Sequence, residues 1–394
     1  MRLLFSLTYY TPYVSGLTIC VRRLTESFAK KKNHVTVLCM QHSPGLKKRE
    51  TIRGVTVVRA HPLFAISKGY VSVDWFTQSI RQVWKSDVVV INLPQAEGIV
   101  PVVFAKLFRK RLITIYHCEI RLPKGFANSV IERVLETVNY FILKVSDRIV
   151  TYTADFSQNS KLLKNFPEKV ECIYPPIIKP EINKRVQKMI RDKIGEKPAF
   201  VIGIAARLAA EKGIEYVLEA IPYINYQLPN THDKFKSKSE IQRTAIKILI
   251  AGPMAPVGEQ DYKKKILALV EKYRENVEFL GTIQEEDMGS FYSQIDLLVL
   301  PSVNSTEAFG MVQVEAMRYG VPVIASDLPG VRVPVQVTGM GKIVPLKDSK
   351  RIADAIIEIL SKRDDYLQPE SRIKNLFSLD QTIRSYDTIL QSGI

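Results

Sequence analysis

Pro301-Ser-Val-Asn304-Ser-Thr-Glu307-Ala-Phe309-Gly310-Met311-Val-Gln-Val-Glu315-Ala316 is the stretch from which the rest of the chain can be read. Asp296-Leu-Leu-Val-Leu-Pro301 runs into it, a short apolar segment ended by proline, as expected of a buried parallel strand. Beyond it, Val312, Ala316 and Met317 fall at helical spacing, which predicts a helix starting near Phe309 or Gly310. The order is strand, polar loop, helix N-terminus. A glycine there lets a ligand approach the backbone, and the first helical turn offers N–H groups with no intrahelical acceptor. Such a place suits a diphosphate. Glu307 in the loop and Glu315 about two turns into the helix are placed to meet hydroxyls on either side of it.

Working outward, Phe200-Val-Ile-Gly-Ile204 opens the strands of the second half and leads into Ala205-Ala-Arg207-Leu-Ala-Ala-Glu-Lys212-Gly213. Arg207 and Lys212 lie at one strand-to-helix turn, so a planar fork of donors and a mobile point charge can face the same anion. Ile246–Gly252, Val277–Ile283 and Val321–Ser326 read as further strands, with Gln227 to Arg243 as a polar, basic insertion. Leu379, Ile383, Tyr386 and Leu390 space out an amphipathic final helix.

In the first half, Arg2–Leu7, Val35–Cys39, Val55–Arg59, Asp87–Ile91 and Arg111–Tyr116 read as strands, with Asp147–Thr153 as the last. Leu17, Val21, Leu24 and Phe28 give an intervening helix and hence an opening βαβ unit. Val134, Leu135, Val138, Ile142 and Val145 predict a long helix over 131–145 with these residues near one face, and Ser160 falls in the helix after the last strand. His117 follows the strand Arg111–Tyr116 at the edge where open α/β sheets bind ligands. Pro175, Pro176 and Pro180 and the charged run behind them mark a boundary. The division read is 1–180, 181–370, and a terminal segment 371–394 that packs back on the first domain.

Composition narrows the function classes. The 394 residues suffice for two domains, and 46% hydrophobic with 24% charged residues is ordinary for a globular protein. Lys and Arg exceed Asp and Glu by 16, which favours anionic partners. No zinc-finger spacing or aromatic RNA motif supports nucleic acid. Cys20, Cys39, Cys118 and Cys172 form no C-x-x-C pair and read as reduced thiols, and no histidine pair suggests a metal site. The absence of G-x-G-x-x-G counts against a dinucleotide enzyme. No run approaches the ~20 apolar residues of a membrane span, so the expected location is the cytoplasm, with peripheral contact to an anionic inner membrane face allowed by the charge.

Glu-x7-Glu enclosing Phe-Gly after a Pro-Ser strand end, together with Arg-x4-Lys-Gly, strongly resembles the retaining glycosyltransferases of family 4 (group 1), and the resemblance extends over nearly the whole chain. It implies a GT-B α/β fold, two Rossmann-like domains facing across a cleft. The activity implied is transfer of a sugar from a UDP- or GDP-sugar to a hydroxyl acceptor, a glycan or lipid-linked glycan, with retained configuration. Neither metal nor other cofactor is expected. The roles implied are leaving-group stabilisation by Arg207 and Lys212, sugar contacts from Glu307 and His117, and ribose contacts from Glu315. Gly16, Gly281, Ile283, Phe309, Gly310 and Met311 complete the donor site. Leu17 stands where the family has a second glycine, and Cys118 where an acidic neighbour is usual, which leaves that neighbour's role to Glu119 or to none. A sugar-nucleotide epimerase of the same fold and a non-catalytic nucleotide-sugar-binding protein are the alternatives.

Overall fold

The computed structural model describes the chain except residues 67–68, 123–124, 196–197, 199, 228–245, 255–258 and 392–394. Apart from Gln227, which ends a helix, the insertion read over 227–243 lies outside the described residues. Two compact units emerge: Met1–Pro176 with Ser378–Ile394, and Ile177–Phe377.

The first unit is built on an eight-stranded sheet. Its strands are β1 (Arg2–Ser6), β2 (His34–Met40), β3 (Arg49–Ile52), β4 (Val55–Ala60), β7 (Val88–Leu93), β8 (Arg111–Tyr116), β9 (Arg148–Thr151) and β10 (Val170–Cys172), while β5 (Phe64–Ile66) and β6 (Gly69–Val71) form a separate hairpin. The order is β10-β9-β8-β7-β1-β2-β4-β3, parallel except for β3. Every residue of β7 is buried, so Val-Val-Val-Ile-Asn-Leu reads as an apolar run rather than an alternation. The sequence reverses at β1: β2 and β4 lie on one side, β7 to β10 on the other. The final helix, Leu379–Gln391, belongs to this unit: Thr382 Oγ1 donates to Tyr174 O at 3.0 Å, Arg111 donates to Leu390 O at 3.0 Å, and Tyr386 packs edge-on against Phe28.

Three local readings are corrected. Asp147–Thr153 is not the last strand, because β10 continues the ladder by pairing in parallel with β9. Ser160 caps the helix Ala154–Asn159 rather than lying in it. The long helix runs Phe126–Val145 and buries Asn139, Ile142 and Leu143, leaving Val134 and Val145 exposed. At 100° per residue, the stripe through Leu135, Asn139 and Ile142 faces inward, so its polar member hid it from a reading of apolar residues.

The second unit has a six-stranded, wholly parallel sheet of β11 (Phe200–Ala205), β12 (Ile246–Ala251), β13 (Val277–Gly281), β14 (Leu297–Leu300), β15 (Val323–Ser326) and β16 (Gly341–Val344) in the order β13-β12-β11-β14-β15-β16. Ile202, Ile248, Leu297 and Ile324 bury one sheet face against Ile352, Ile356 and Ile359 of the helix Ser349–Ser361. Here the order reverses between β11 and β14. Open α/β sheets bind ligands outside the carboxyl ends of the strands at such a switch point.

Candidate active site

The turn after β11 and the loop after β14 meet at that switch point. Beyond β11 the chain makes a short 3₁₀ turn, Ala210–Lys212, and Gly213 closes it in a left-handed conformation with φ +62°. A β-carbon on Gly213 would lie 2.3 Å from Pro301 O, so only glycine lets the turn lie this close to the end of β14. Val303 N–H donates to Glu211 O at 2.9 Å and fastens the two segments. Within the loop, Asn304 Oδ1 accepts from Thr306 N–H at 3.0 Å and from Thr306 Oγ1 at 2.7 Å, an Asx turn that presents Glu307.

As a result Lys212 Nζ donates to Glu307 Oε2 at 2.6 Å, bridging 95 residues of chain, with the two side chains only 17% and 20% exposed. Arg207 lies on the same turn, paired with Glu211, its side chain 43% exposed. Two cations and two carboxylates, Glu211 and Glu307, thus share one strand end. The Arg207–Glu211 pair, facing water, is worth little and can be exchanged for an anionic ligand.

Gly310 (φ +77°) caps the helix Met311–Met317, so Glu315 lies in its second turn. A β-carbon on Gly310 would come within 2.4 Å of Leu300 Cδ2. Phe309 is in the core, edge-on to Phe377, so only its backbone can face a ligand. Met311 begins the helix and offers a first-turn N–H. Glu315 is buried and accepts from Tyr292 OH at 3.0 Å. Gly281 ends β13 with φ +74°, its carbonyl accepting from Gly252 N–H at 2.8 Å, and Ile283 follows half-buried. The structure brings Arg207, Lys212, Glu307 and Gly310 together, with Gly281 and Ile283 at the end of a strand two places along the same sheet.

Two further buried polar residues border this site, Gln313, to which the sequence reading gave no role, and Ser302, which it gave only a place in the Pro-Ser strand end. Gln313 is fully buried and donates to Phe309 O at 2.7 Å and Val331 O at 2.9 Å, holding the end of the Glu307 loop against the 331 turn. Ser302 is also fully buried at the strand end. A glutamine in an otherwise apolar helix face could have drawn notice, since a buried amide needs partners.

In the first unit, Gly16 starts the helix Gly16–Lys30 behind a capping box made by Ser15 and Thr18. Among the described residues nothing lies within 4 Å of where its β-carbon would stand, so packing against them does not require glycine there. His117 is fully enclosed at the end of β8. Asn92 Nδ2 donates to Ser6 O at 3.1 Å, which leaves Asn92 Oδ1 to accept from His117 Nε2 at 3.0 Å, while Nδ1 accepts from Tyr152 OH. Burial lowers its pKa to about 3, so the ring is neutral. His117 therefore links the ends of β1, β7 and β9, and the structure engages both of its nitrogens within the unit. Glu119 is likewise committed, accepting from Lys161 N–H at 2.8 Å. Glu97, in the turn Ala96–Gly98 after β7, was not foreseen. Burial raises its carboxyl above the usual range against the pull of the Thr8 hydroxyl.

Comparison with known proteins matches each half of the chain to a family model. Residues 186–375 match the model for glycosyl transferases group 1, and residues 14–178 that for glycosyltransferase family 4. An uncharacterized glycosyltransferase of Methanocaldococcus jannaschii is 26% identical over 373 residues, covering 88% of this chain and 86% of the relative. Among solved structures, HepE of Anabaena in complex with UDP and glucose superposes with a TM-score of 0.76 at 17% identity, covering 100% of both chains. The sucrose-phosphate synthase of Thermosynechococcus elongatus gives 0.75 at 19% identity, covering 99% of this chain and 98% of that one. These structures share the GT-B fold, and the two family models, which together span both units from residue 14 to 375, match the halves that carry the switch-point sites: the chain belongs to the group 1, family 4 glycosyltransferases.

Proposed function

We propose that the chain transfers a sugar from a UDP- or GDP-sugar to a hydroxyl acceptor, a glycan or lipid-linked glycan, with retention and without a metal. The observation that carries this reading is the Lys212–Glu307 contact at the β11/β14 switch point, with Arg207 beside it. Breaking the bond to the anomeric carbon builds negative charge on the departing diphosphate. Arg207 and Lys212 supply preorganised positive charge there, assisted by the N–H groups at Gly310 and Met311. Glu307 holds the sugar hydroxyls and stabilises positive charge developing at the anomeric carbon, and its bond to Lys212 keeps the two groups in register. Glu315 takes the ribose hydroxyls. For His117 we propose the family's role as a neutral hydrogen-bonding group for the transferred sugar, which requires it to exchange one of its present partners. The complex of HepE with UDP and glucose supports a donor of this type.

The acceptor's setting is supported by an exposed apolar surface on the first unit. Trp84 (64% exposed) and Phe76 on the helix Val73–Lys85 stack edge-on against Phe108 and Phe104, next to exposed Leu107 (67%) and bordered by Lys85, Lys106 and Arg109. The helix Phe126–Val145 adds exposed Phe126, Val130 and Val134 at intervals of four. Aromatic and aliphatic side chains ringed by cations suit an anionic membrane surface. Among the described residues no helix is long and apolar enough to cross one.

Calorimetric titration with UDP and GDP tests the donor site. One of them binds the parent protein equally well in excess EDTA and binds Lys212→Ala at least about tenfold more weakly. Binding abolished by EDTA would remove the metal-independent reading. Flotation with anionic vesicles but not neutral ones is expected of the parent and reduced in Trp84→Ser/Leu107→Ser.

A further inference from the structure

Apart from the donor site, the first unit contains a cavity of about 450 Å³ whose wall is strongly basic. It is lined by Lys48, Arg49, Arg59, His61, Asp74 and Arg81, together with Gln78 and Val58. Local geometry explains how these residues meet. Antiparallel pairing sets Arg49 opposite Val58, and Arg59 N–H donates to Lys48 O at 2.8 Å, so the start of β3 brings Lys48 and Arg49 beside the end of β4. Asp74, Gln78 and Arg81 are spaced four and three apart on the helix Val73–Lys85 and present one face.

The charges are unequal in a telling way. Arg59 is only 1% exposed and is held by Glu50, Lys47 O and Thr11 O, yet its Nε–H finds no acceptor among the described residues. Asp74, the one carboxylate in the wall, is spoken for: it accepts from His61 N–H at 2.9 Å, Gln78 at 3.1 Å and Thr77 at 3.3 Å. Although burial opposes ionisation, these bonds and the charge of Lys48 hold its carboxyl below the usual range. Lys48, Arg49 and Arg81 make no ion pair among the described residues, whereas many other cations of the chain do. Of the four cations, Arg59 is balanced by Glu50 and Lys48 acts on Asp74, but Arg49 and Arg81 have no such counterion among the described residues, so the concavity keeps a positive surplus that an anion would offset. Three of the four are arginines, whose forked donors match a tetrahedral oxyanion approached from several sides.

We infer that this cavity binds a phosphoryl group, carried by a small phosphorylated molecule or by a lipid headgroup. The inference does not depend on the donor site, none of whose residues lines this cavity. The volume is in the range of small-ligand pockets, larger than phosphate alone needs, so the group is attached to a further polar or lipid moiety.

The test uses the full chain and three probes: inorganic phosphate, glycerol 3-phosphate, and vesicles with and without phosphatidic acid. Arg49→Ser/Arg81→Ser removes two exposed, unpaired cations and should leave folding intact, as a thermal melt checks. Lys144→Ser/Lys164→Ser, on elements beside β8 and β9 at the other side of the first unit's sheet, removes the same charge. The expected result is binding to the parent that falls roughly tenfold or more in the first double variant and is kept in the second and in Lys212→Ala. Binding of glycerol 3-phosphate free in solution assigns a small ligand, and binding only to phosphatidic acid in vesicles assigns a headgroup. Equal losses in both double variants would reduce the effect to net charge and overturn the inference, as would loss in Lys212→Ala alone or no binding of any probe.

Discussion

Lys212→Ala and Glu307→Gln, made singly and together, separate a structural ion pair from a catalytic one. The pair is short and about four-fifths buried, lying between an exposed bridge and a fully enclosed one. Exposed bridges contribute up to about 1 kcal/mol, and breaking a buried one costs about 3–5 kcal/mol. Each single variant should therefore cost about 1–3 kcal/mol of stability. Because both remove the same contact, the double variant should cost less than the sum by about 1 kcal/mol or more. Function should divide differently. Lys212→Ala removes charge from the leaving group and should lower turnover by roughly 10²–10³ and weaken nucleoside diphosphate binding. Glu307→Gln relieves Lys212 of its partner, so nucleotide affinity should hold or tighten while turnover falls. Urea unfolding, calorimetry with the nucleoside diphosphate and donor turnover on the four proteins give the whole cycle. Coupled stability losses with unchanged turnover in both singles would reduce the pair to a fastening between two loops and refute the reasoning.

Gly213→Ala should cost at least about 2 kcal/mol, from left-handed φ and the crowded Pro301 carbonyl, lowering the melting of the second unit by roughly 5 °C or more in scanning calorimetry. Gln313→Leu strands two carbonyl groups, so a loss of about 1–3 kcal/mol is expected in urea unfolding, with the first unit's melting unchanged. His117 gives a pH dependence. Its folded pKa of about 3 lies below the ordinary 6.5, so between those values the unfolded chain binds the extra proton. The associated stability is fully present above pH 6.5 and declines as the pH falls toward 3. Going from pH 7.5 to 5.5 should remove about 1.4 kcal/mol from this one group. His117→Gln should flatten that part of the profile, measured by urea unfolding at each pH, and an unchanged slope would place the titration elsewhere.

Much of the architecture is visible in the chain because parallel strands buried on both faces are written as short apolar runs, as in Val88–Leu93 and Leu297–Leu300. What escaped had different physics. The edge strand Arg49–Ile52 alternates exposed and half-buried residues and follows no apolar run; its hairpin turn at Arg53-Gly54, both with positive φ, was the available signal. Gly341–Val344 and Val170–Cys172 are edge strands, the first largely half-buried and the second largely exposed, so neither is written as a buried apolar run. At the site, residue types and spacing identified Arg207, Lys212 and Glu307 separately. Their contact could not be read, because it depends on the strand order that sets β14 beside β11. The same holds for His117: its place after a strand was legible, but the Asn92 and Tyr152 partners that hold it neutral come from neighbouring strands. Arg59 was legible as the end of a strand, but its meeting with Arg81 around one cavity depends on how β3, β4 and the helix Val73–Lys85 pack.

The most direct test is release of nucleoside diphosphate from a panel of UDP-, GDP- and ADP-sugars, comparing the parent protein with Glu307→Gln and with a glycan acceptor present or absent. The account predicts release from one UDP- or GDP-sugar, faster with acceptor, and reduced to near background by the substitution although the nucleotide still binds. Equal release by the two proteins, or a converted sugar nucleotide with no released diphosphate, would contradict it.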